Sequence, residues 1–143
     1  VVDASVGIKL LLLEENSETV QKLFELNLQH QNSFLYVPDL FFIECTNVLW
    51  KRVRQDASFE KQAKEFTNDL KELKLLTTPT YDLIQPALEI ACKFGISTYD
   101  ACYAALAEKY DIPLITADNR LSNMLMNSAI NILTLDSLSE SML

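Results

Sequence analysis

Glycine is almost missing from this chain, with Gly7 and Gly95 its only two. A phosphate-cradling P-loop and a dinucleotide-binding G-x-G-x-x-G turn both need several glycines close together, so neither is possible. Histidine is scarcer still. His30 stands alone and no C-x-x-C pair occurs, which argues against a Cys/His zinc centre. His30 also lies in the polar run Gln29-His30-Gln31-Asn32, and no serine sits within G-x-S-x-G, so a Ser-His-Asp nucleophile has no support. The longest aliphatic block is Leu10 to Leu13, far short of the ~20 apolar residues that span a bilayer. With no signal peptide pattern either, the expectation is a cytoplasmic protein with no membrane partner. The chain begins at Val1 rather than Met, so a few native residues are expected to precede it and to clip the first strand.

What is present is ordinary for a globular protein. Apolar residues make up 49% and charged residues 22% of 143 positions, enough to close one core, so residues 1–143 are expected to form a single domain. Cys45, Cys92 and Cys102 are odd in number and fall within apolar helical patterns, as reduced core thiols do. Acids outnumber bases 20 to 12, a net charge of −8, which argues against a nonspecific nucleic-acid coat protein. It leaves room for an enzyme whose clustered carboxylates are neutralised by divalent cations. Lys51, Arg52, Arg54, Lys61, Lys64, Lys71 and Lys74 form the one basic segment.

Hydrophobic periodicity predicts strands alternating with helices. Val1-Val2 reads as a strand end, followed by a helix over Ala4 to Leu13. Asn16 or Ser17 caps a second helix with Val20, Leu23, Phe24 and Leu28 as its apolar stripe. A strand at Phe34 to Val37 precedes a helix over Asp39 to Arg54 with Pro38 at its start, then an exposed helix over Ser58 to Leu73 and a strand at Leu75 to Thr78. The helix near Tyr81 to Phe94 contains Pro86, which predicts a kink or a late start there. Gly95 suits the left-handed position after a helix, and Ser97 or Thr98 caps the next. Pro113 to Thr116 is a strand, Ala117 to Met126 a turn and short helix, and Ile130 to Leu133 a last strand. This alternation predicts an α/β fold with a mainly parallel sheet covered on both faces.

Sites in such sheets form beyond the carboxyl ends of the strands. Asp3 and Asp118 both follow strands, Asp100 lies in the first turn of its helix, and Glu44 leaves its helix beside an apolar stripe made by Leu40, Phe41 and Val48. Each has a plainer explanation. Asp3 and Asp118 are in helix-capping positions, Ser97-Thr98-Tyr99-Asp100 matches a capping box, and Glu44 can snorkel to solvent. Together, acids on one rim repel by a few kcal/mol per pair at an effective dielectric near ~20. Cations relieve that, and oxygen-only ligands select hard ions such as Mg²⁺ or Mn²⁺.

Four stretches carry a resemblance: Val1-Val2-Asp3-Ala4-Ser5; Pro38-Asp39-Leu40-Phe41-Phe42-Ile43-Glu44 with Asn47-Val48-Leu49; Ser97-Thr98-Tyr99-Asp100-Ala101-Cys102-Tyr103-Ala104-Ala105-Leu106-Ala107; and Leu114-Ile115-Thr116-Ala117-Asp118. In this order and spacing they resemble the PIN domain, and within it the VapC-like ribonuclease toxins of type II toxin–antitoxin modules. The resemblance covers Val1 to about Leu135. It implies a three-layer α/β/α sandwich and a metal-dependent endoribonuclease whose catalytic and metal-binding acids are Asp3, Glu44, Asp100 and Asp118. It also implies Mg²⁺ or Mn²⁺ as cofactor, RNA as substrate, a homodimer, and a cognate antitoxin that covers the acidic cleft. Within the resemblance Ser5 and Thr116 lie near positions that commonly line the site, as hydroxyls able to orient a carboxylate. Arg120 follows Asp118 closely and is open to a phosphate contact or to a plain surface role, Asn119 is open in the same way, and Lys9, Arg120 and the 51–54 cluster are the bases for phosphate contacts.

Two rivals stay open. An aspartyl-phosphate enzyme would also use an aspartate at the end of a first strand, although its second acid normally comes two residues later, where this chain has Ser5. A catalytically inactive PIN-like binding module would usually lack one or more of the four acids, all of which are filled here.

Overall fold

The computed structural model describes residues 1–142. Eight α-helices and four short strands alternate along it: α1 (Ala4–Gly7), α2 (Ser17–Gln29), β1 (Leu35–Pro38), α3 (Leu40–Gln55), α4 (Glu60–Glu72), β2 (Leu75–Thr78), α5 (Ile84–Phe94), α6 (Thr98–Tyr110), β3 (Leu114–Thr116), α7 (Asn119–Met124), β4 (Ile132–Thr134) and α8 (Leu135–Met142). β1 pairs with β2 and β3 with β4, both in parallel. Residues 1–3 stitch the two pairs together. Val2 N–H donates to Tyr36 O (3.2 Å), Asp3 N–H to Ile115 O (3.3 Å) and Ile115 N–H to Val1 O (2.8 Å), with Val2 and Ile115 forming a parallel bridge. Counting this segment as the first strand gives the spatial order 3-2-1-4-5. The chain winds outward through β1 and β2, then returns to the other side of the first strand. All three residues of β3 are buried, as expected where helices cover both faces of a sheet.

Several elements differ from their sequence expectations for local reasons. The helix expected over Ala4 to Leu13 is one α-helical turn followed by a 3₁₀ turn at Ile8–Leu10, and Leu13 is 88% exposed. On α2 the buried stripe is Val20, Phe24 and Asn27, while Leu28 faces solvent. Asn27 takes the inward position because its Nδ2 donates to Lys74 O (3.0 Å), tying α2 to the start of β2. Pro38 ends β1 rather than opening α3, and a 3₁₀ turn at Ala57–Phe59 precedes α4. Pro86 falls in the first turn of α5 after a 3₁₀ turn at Thr80–Leu83. The missing N–H has no intrahelical partner there in any case, so the late start is the outcome. Gly95 closes α5 with φ of 69°, the left-handed conformation.

α6 is the packing hub. Every residue from Ala101 to Ala107 is buried, and the alanines let α5 and the sheet come close. Cys45 and Cys102 are core thiols, whereas Cys92 is exposed.

Gly7, in helical conformation, lies so close to the Phe41 ring that an added Cβ would stand 2.5 Å from Phe41 Cε2 and Cζ. Phe41 is fully buried and has no room to retreat. Gly7→Ala is therefore expected to destabilise the fold by about 1–3 kcal/mol in urea unfolding, despite alanine's better helix propensity. The loss should shrink in a Phe41→Leu background, and an equal loss in both backgrounds would count against this contact as the cause.

Candidate active site

In a sheet of order 3-2-1-4-5 the winding reverses between the first strand and its neighbour β3, and the helices that follow diverge, leaving a crevice at the carboxyl ends. Asp3 ends the first strand and Thr116 ends β3, so both stand at that crevice.

Asp3 is the most constrained of the four acids. It is 5% exposed and caps α1, its Oδ1 accepting from Val6 N–H (3.2 Å). Ser5 Oγ donates to Oδ1 (2.5 Å) and Thr116 Oγ1 to Oδ2 (2.5 Å). Those hydroxyls are held from behind: Ala117 N–H donates to Ser5 Oγ (2.9 Å) and Asp118 N–H to Thr116 Oγ1 (3.0 Å). Burial nonetheless pushes the Asp3 pKa up to about 6, against the pull of these donors and with a further push from Asp100.

Asp118 caps α7, its Oδ1 accepting from Arg120 N–H (2.9 Å) and Leu121 N–H (3.1 Å). Asp100, half-buried in the first turn of α6, donates its N–H to Ser97 Oγ (3.1 Å). Burial raises its pKa first; the Ser97 hydroxyl offsets part of this, Asp118 adds to it and Arg120 opposes it. Glu44 projects from α3, and Tyr103 Oη donates to its Oε1 (2.5 Å). Its pKa is also raised, by burial first, with the Tyr103 hydroxyl pulling down and Asp100 pushing up.

All four acids line one cavity of about 760 Å³, together with Ser5, Tyr103, Tyr99, Trp50, Asn47 and Lys51. Among the described residues none of the four joins an ion pair; the pairs Lys9–Glu14, Arg52–Glu14 and Lys64–Glu60 involve other acids. Nor do three or more acid, histidine or cysteine side chains among them converge tightly enough to grip an ion directly. The carboxylates of this cavity act on one another, Asp100 raising the pKa of Asp3 and of Glu44 and Asp118 that of Asp100. Burial pushes the Cys45 and Cys102 thiols up to about 12 and about 11, and neither lines the cavity.

Ser5 and Thr116 thus directly support Asp3. Asn119 and Arg120 are exposed and do not line the cavity; Arg120 reaches the site only as a field on Asp100. Lys9 is turned away, its Nζ donating to Glu14 Oε2 (3.3 Å) and Glu15 O (2.9 Å). Of the bases considered for phosphate contacts, Lys51 is the one that lines the cavity. Tyr103 escaped notice as a site residue. Its position three residues after Asp100, on the same helical face, was the available signal.

The PIN domain sequence model matches residues 1–124. The chain belongs to the PIN-domain family. Among PIN-domain relatives, Ribonuclease VapC3 of Pyrobaculum aerophilum is 36% identical over 124 residues, covering 85% of this chain and 91% of that protein. Ribonuclease VapC9 of Mycobacterium tuberculosis is 30% identical over 123 residues, covering 86% and 88%. The crystal structure of PAE2754 from Pyrobaculum aerophilum superposes with a TM-score of 0.62 at 22% identity, covering 97% of this chain and 92% of that one. The PIN-type α/β sandwich is thereby shared.

The raised Asp3 pKa makes a stability prediction. Between the ordinary 3.8 and about 6 the folded protein holds a proton that the unfolded chain has released. Without divalent ions, the contribution of this group to stability is therefore best at acid pH and falls as pH rises through that window, by about 3 kcal/mol in all. Asp3→Asn in EDTA should raise stability at pH 8 by about 1–3 kcal/mol and leave pH 4 nearly unchanged. A variant less stable than wild type at pH 8 would contradict the cost assigned to Asp3.

Proposed function

We propose that this PIN-domain protein is a divalent-metal-dependent endoribonuclease that hydrolyses RNA phosphodiester bonds, acting in the cytoplasm as the homodimeric toxin of a toxin–antitoxin pair. The observation that carries the reading is the burial of Asp3, without a cationic side chain, in the same cavity as Glu44, Asp100 and Asp118. The names of the VapC relatives support the ribonuclease assignment and its toxin context.

The donor set suits Mg²⁺ or Mn²⁺. It is all oxygen, none of the four acids is ion-paired with a lysine or arginine among the described residues, and it need not place three acids on one ion, because Mg²⁺ keeps several waters and takes one or two carboxylates. Asp3, Glu44, Asp100 and Asp118 are the residues that would hold it. A bound ion supplies Lewis acidity and activates water at neutral pH, which removes the need for a histidine base.

The chain's own groups do the positioning. Ser5 and Thr116 fix the plane of the Asp3 carboxylate, and the α7 cap fixes one oxygen of Asp118. Lys51 offers a phosphate contact at the cavity wall, and its single charge in an acidic protein implies that substrate affinity leans on the bound cation. A cognate antitoxin would cover the cavity and bring positive charge to its four acids, which outnumber the one lysine on its wall.

Wild-type protein should cleave RNA with Mg²⁺ or Mn²⁺ and not in EDTA, while Asp3→Asn and Asp100→Asn should each lose about a hundredfold or more, roughly 3 kcal/mol of transition-state stabilisation. Equal cleavage by those variants would sink the assignment. Millimolar Mn²⁺ should also raise the melting temperature of the wild type through preferential binding to the folded state. An unmoved melting temperature would count against a preformed site.

A further inference from the structure

Tyr103 is 1% exposed, yet its hydroxyl reaches the cavity and donates to Glu44 Oε1 at 2.5 Å. The two residues come from different helices, 59 positions apart in sequence. Tyr103 lies on α6 three residues after Asp100, so the same short stretch of helix carries one cavity acid and the anchor of another.

We propose that Tyr103 is a positioning residue, holding Glu44 in the orientation with which it faces a divalent cation shared with Asp100. This rests on the metal-binding reading above and extends it to a residue that makes no contact with the ion.

The physical case begins with Glu44. Its carboxylate stands at the end of three rotatable bonds on a helix, half-buried beside an apolar stripe, so without an anchor it would spread over several rotamers. Asp3 and Asp118 are held by backbone N–H groups and neighbouring hydroxyls. Glu44 is anchored instead by the side chain of Tyr103. Tyr103 suits the task because it is 1% exposed and lies within the buried run Ala101 to Ala107, which restricts the ring. Its hydroxyl occupies Oε1 and leaves Oε2 to the cavity. Hydrogen-bond partners of metal-binding carboxylates commonly change ion affinity by about 10–100-fold when removed.

The test is Mn²⁺ affinity, measured by calorimetry or by the spectrum of free Mn²⁺, with full-length wild type, Tyr103→Phe, Glu44→Gln and the double variant. Melting in EDTA measures any purely structural loss separately. Tyr103→Phe is expected to bind Mn²⁺ about tenfold more weakly than wild type. Adding it to Glu44→Gln should weaken binding little further, since the group it positions has already been altered. Equal Mn²⁺ affinity in wild type and Tyr103→Phe, whatever the change in melting temperature, overturns the positioning role and leaves the metal reading intact. The same tenfold loss in the Glu44→Gln background overturns it as well, because the effect would then bypass Glu44. A wild type that binds no Mn²⁺ overturns the metal reading and this inference together.

Discussion

Asp3 joins the sheet to the candidate site. Its N–H is part of the pairing with β3, its Oδ1 starts α1, and its two oxygens receive hydroxyls from Ser5 on one side and Thr116 on the other. Those hydroxyls are fixed by the backbone of residues 117 and 118. One carboxylate therefore sets the spacing between the two strands at the point where the sheet reverses its winding. Asp118, the next acid along the rim, is tied into the same network through its own N–H. Any shift of β3 against the first strand would disturb both acids together.

Such a centre is costly to fold. The hydrogen bonds to Asp3 do not overcome its burial, since its pKa stays raised to about 6, and Asp100 and Glu44 are raised by the same cause. The rest of the core offsets this. α6 buries seven consecutive residues, and Gly7 lets α1 lie against the Phe41 ring. Rigid packing is needed here because like charges relax apart wherever the backbone gives way. Sites built on tightly packed helices and strands hold their geometry better than sites on loops.

The sequence disclosed the site more readily than the exact elements. Strand–helix alternation was legible because each strand is a short apolar run ended by a turn signal, and the four acids stood out through their places relative to those runs. The helix at Ala4 was overextended because Leu10 to Leu13 has helical periodicity, while tertiary contacts leave Leu13 in solvent. Asn27 rather than Leu28 faces inward because the Asn27 Nδ2 donates to a carbonyl 47 residues away, and no local pattern reports such a partner. Asn119 and Arg120 were drawn in by proximity to Asp118 in sequence, but the α7 cap turns them to the surface. The capping and functional readings of the acids turned out to be compatible. Asp3 and Asp118 are caps and cavity residues at once, since a cap occupies only part of a carboxylate's accepting capacity.

The charge balance also takes on a structural meaning. A net charge of −8 would repel a polyanion if spread evenly, yet the bases are not spread evenly. Lys51, Arg52 and Arg54 gather in the last turns of α3, the helix that carries Glu44. Within that cluster, Arg52 leans towards Glu14 at 4.0 Å and Arg54 lies 4.9 Å over the Trp50 ring. Lys51 is left at the cavity wall. α3 therefore runs from a negative end at the crevice to a positive end about 10 Å further along, at a rise of ~1.5 Å per residue. A polyanionic strand lying along this helix would meet favourable charge first at Lys51, and at Glu44 only once a cation had reversed the sign of the cavity. The acidity of the protein and the handling of a phosphate backbone are thus reconciled along a single helix.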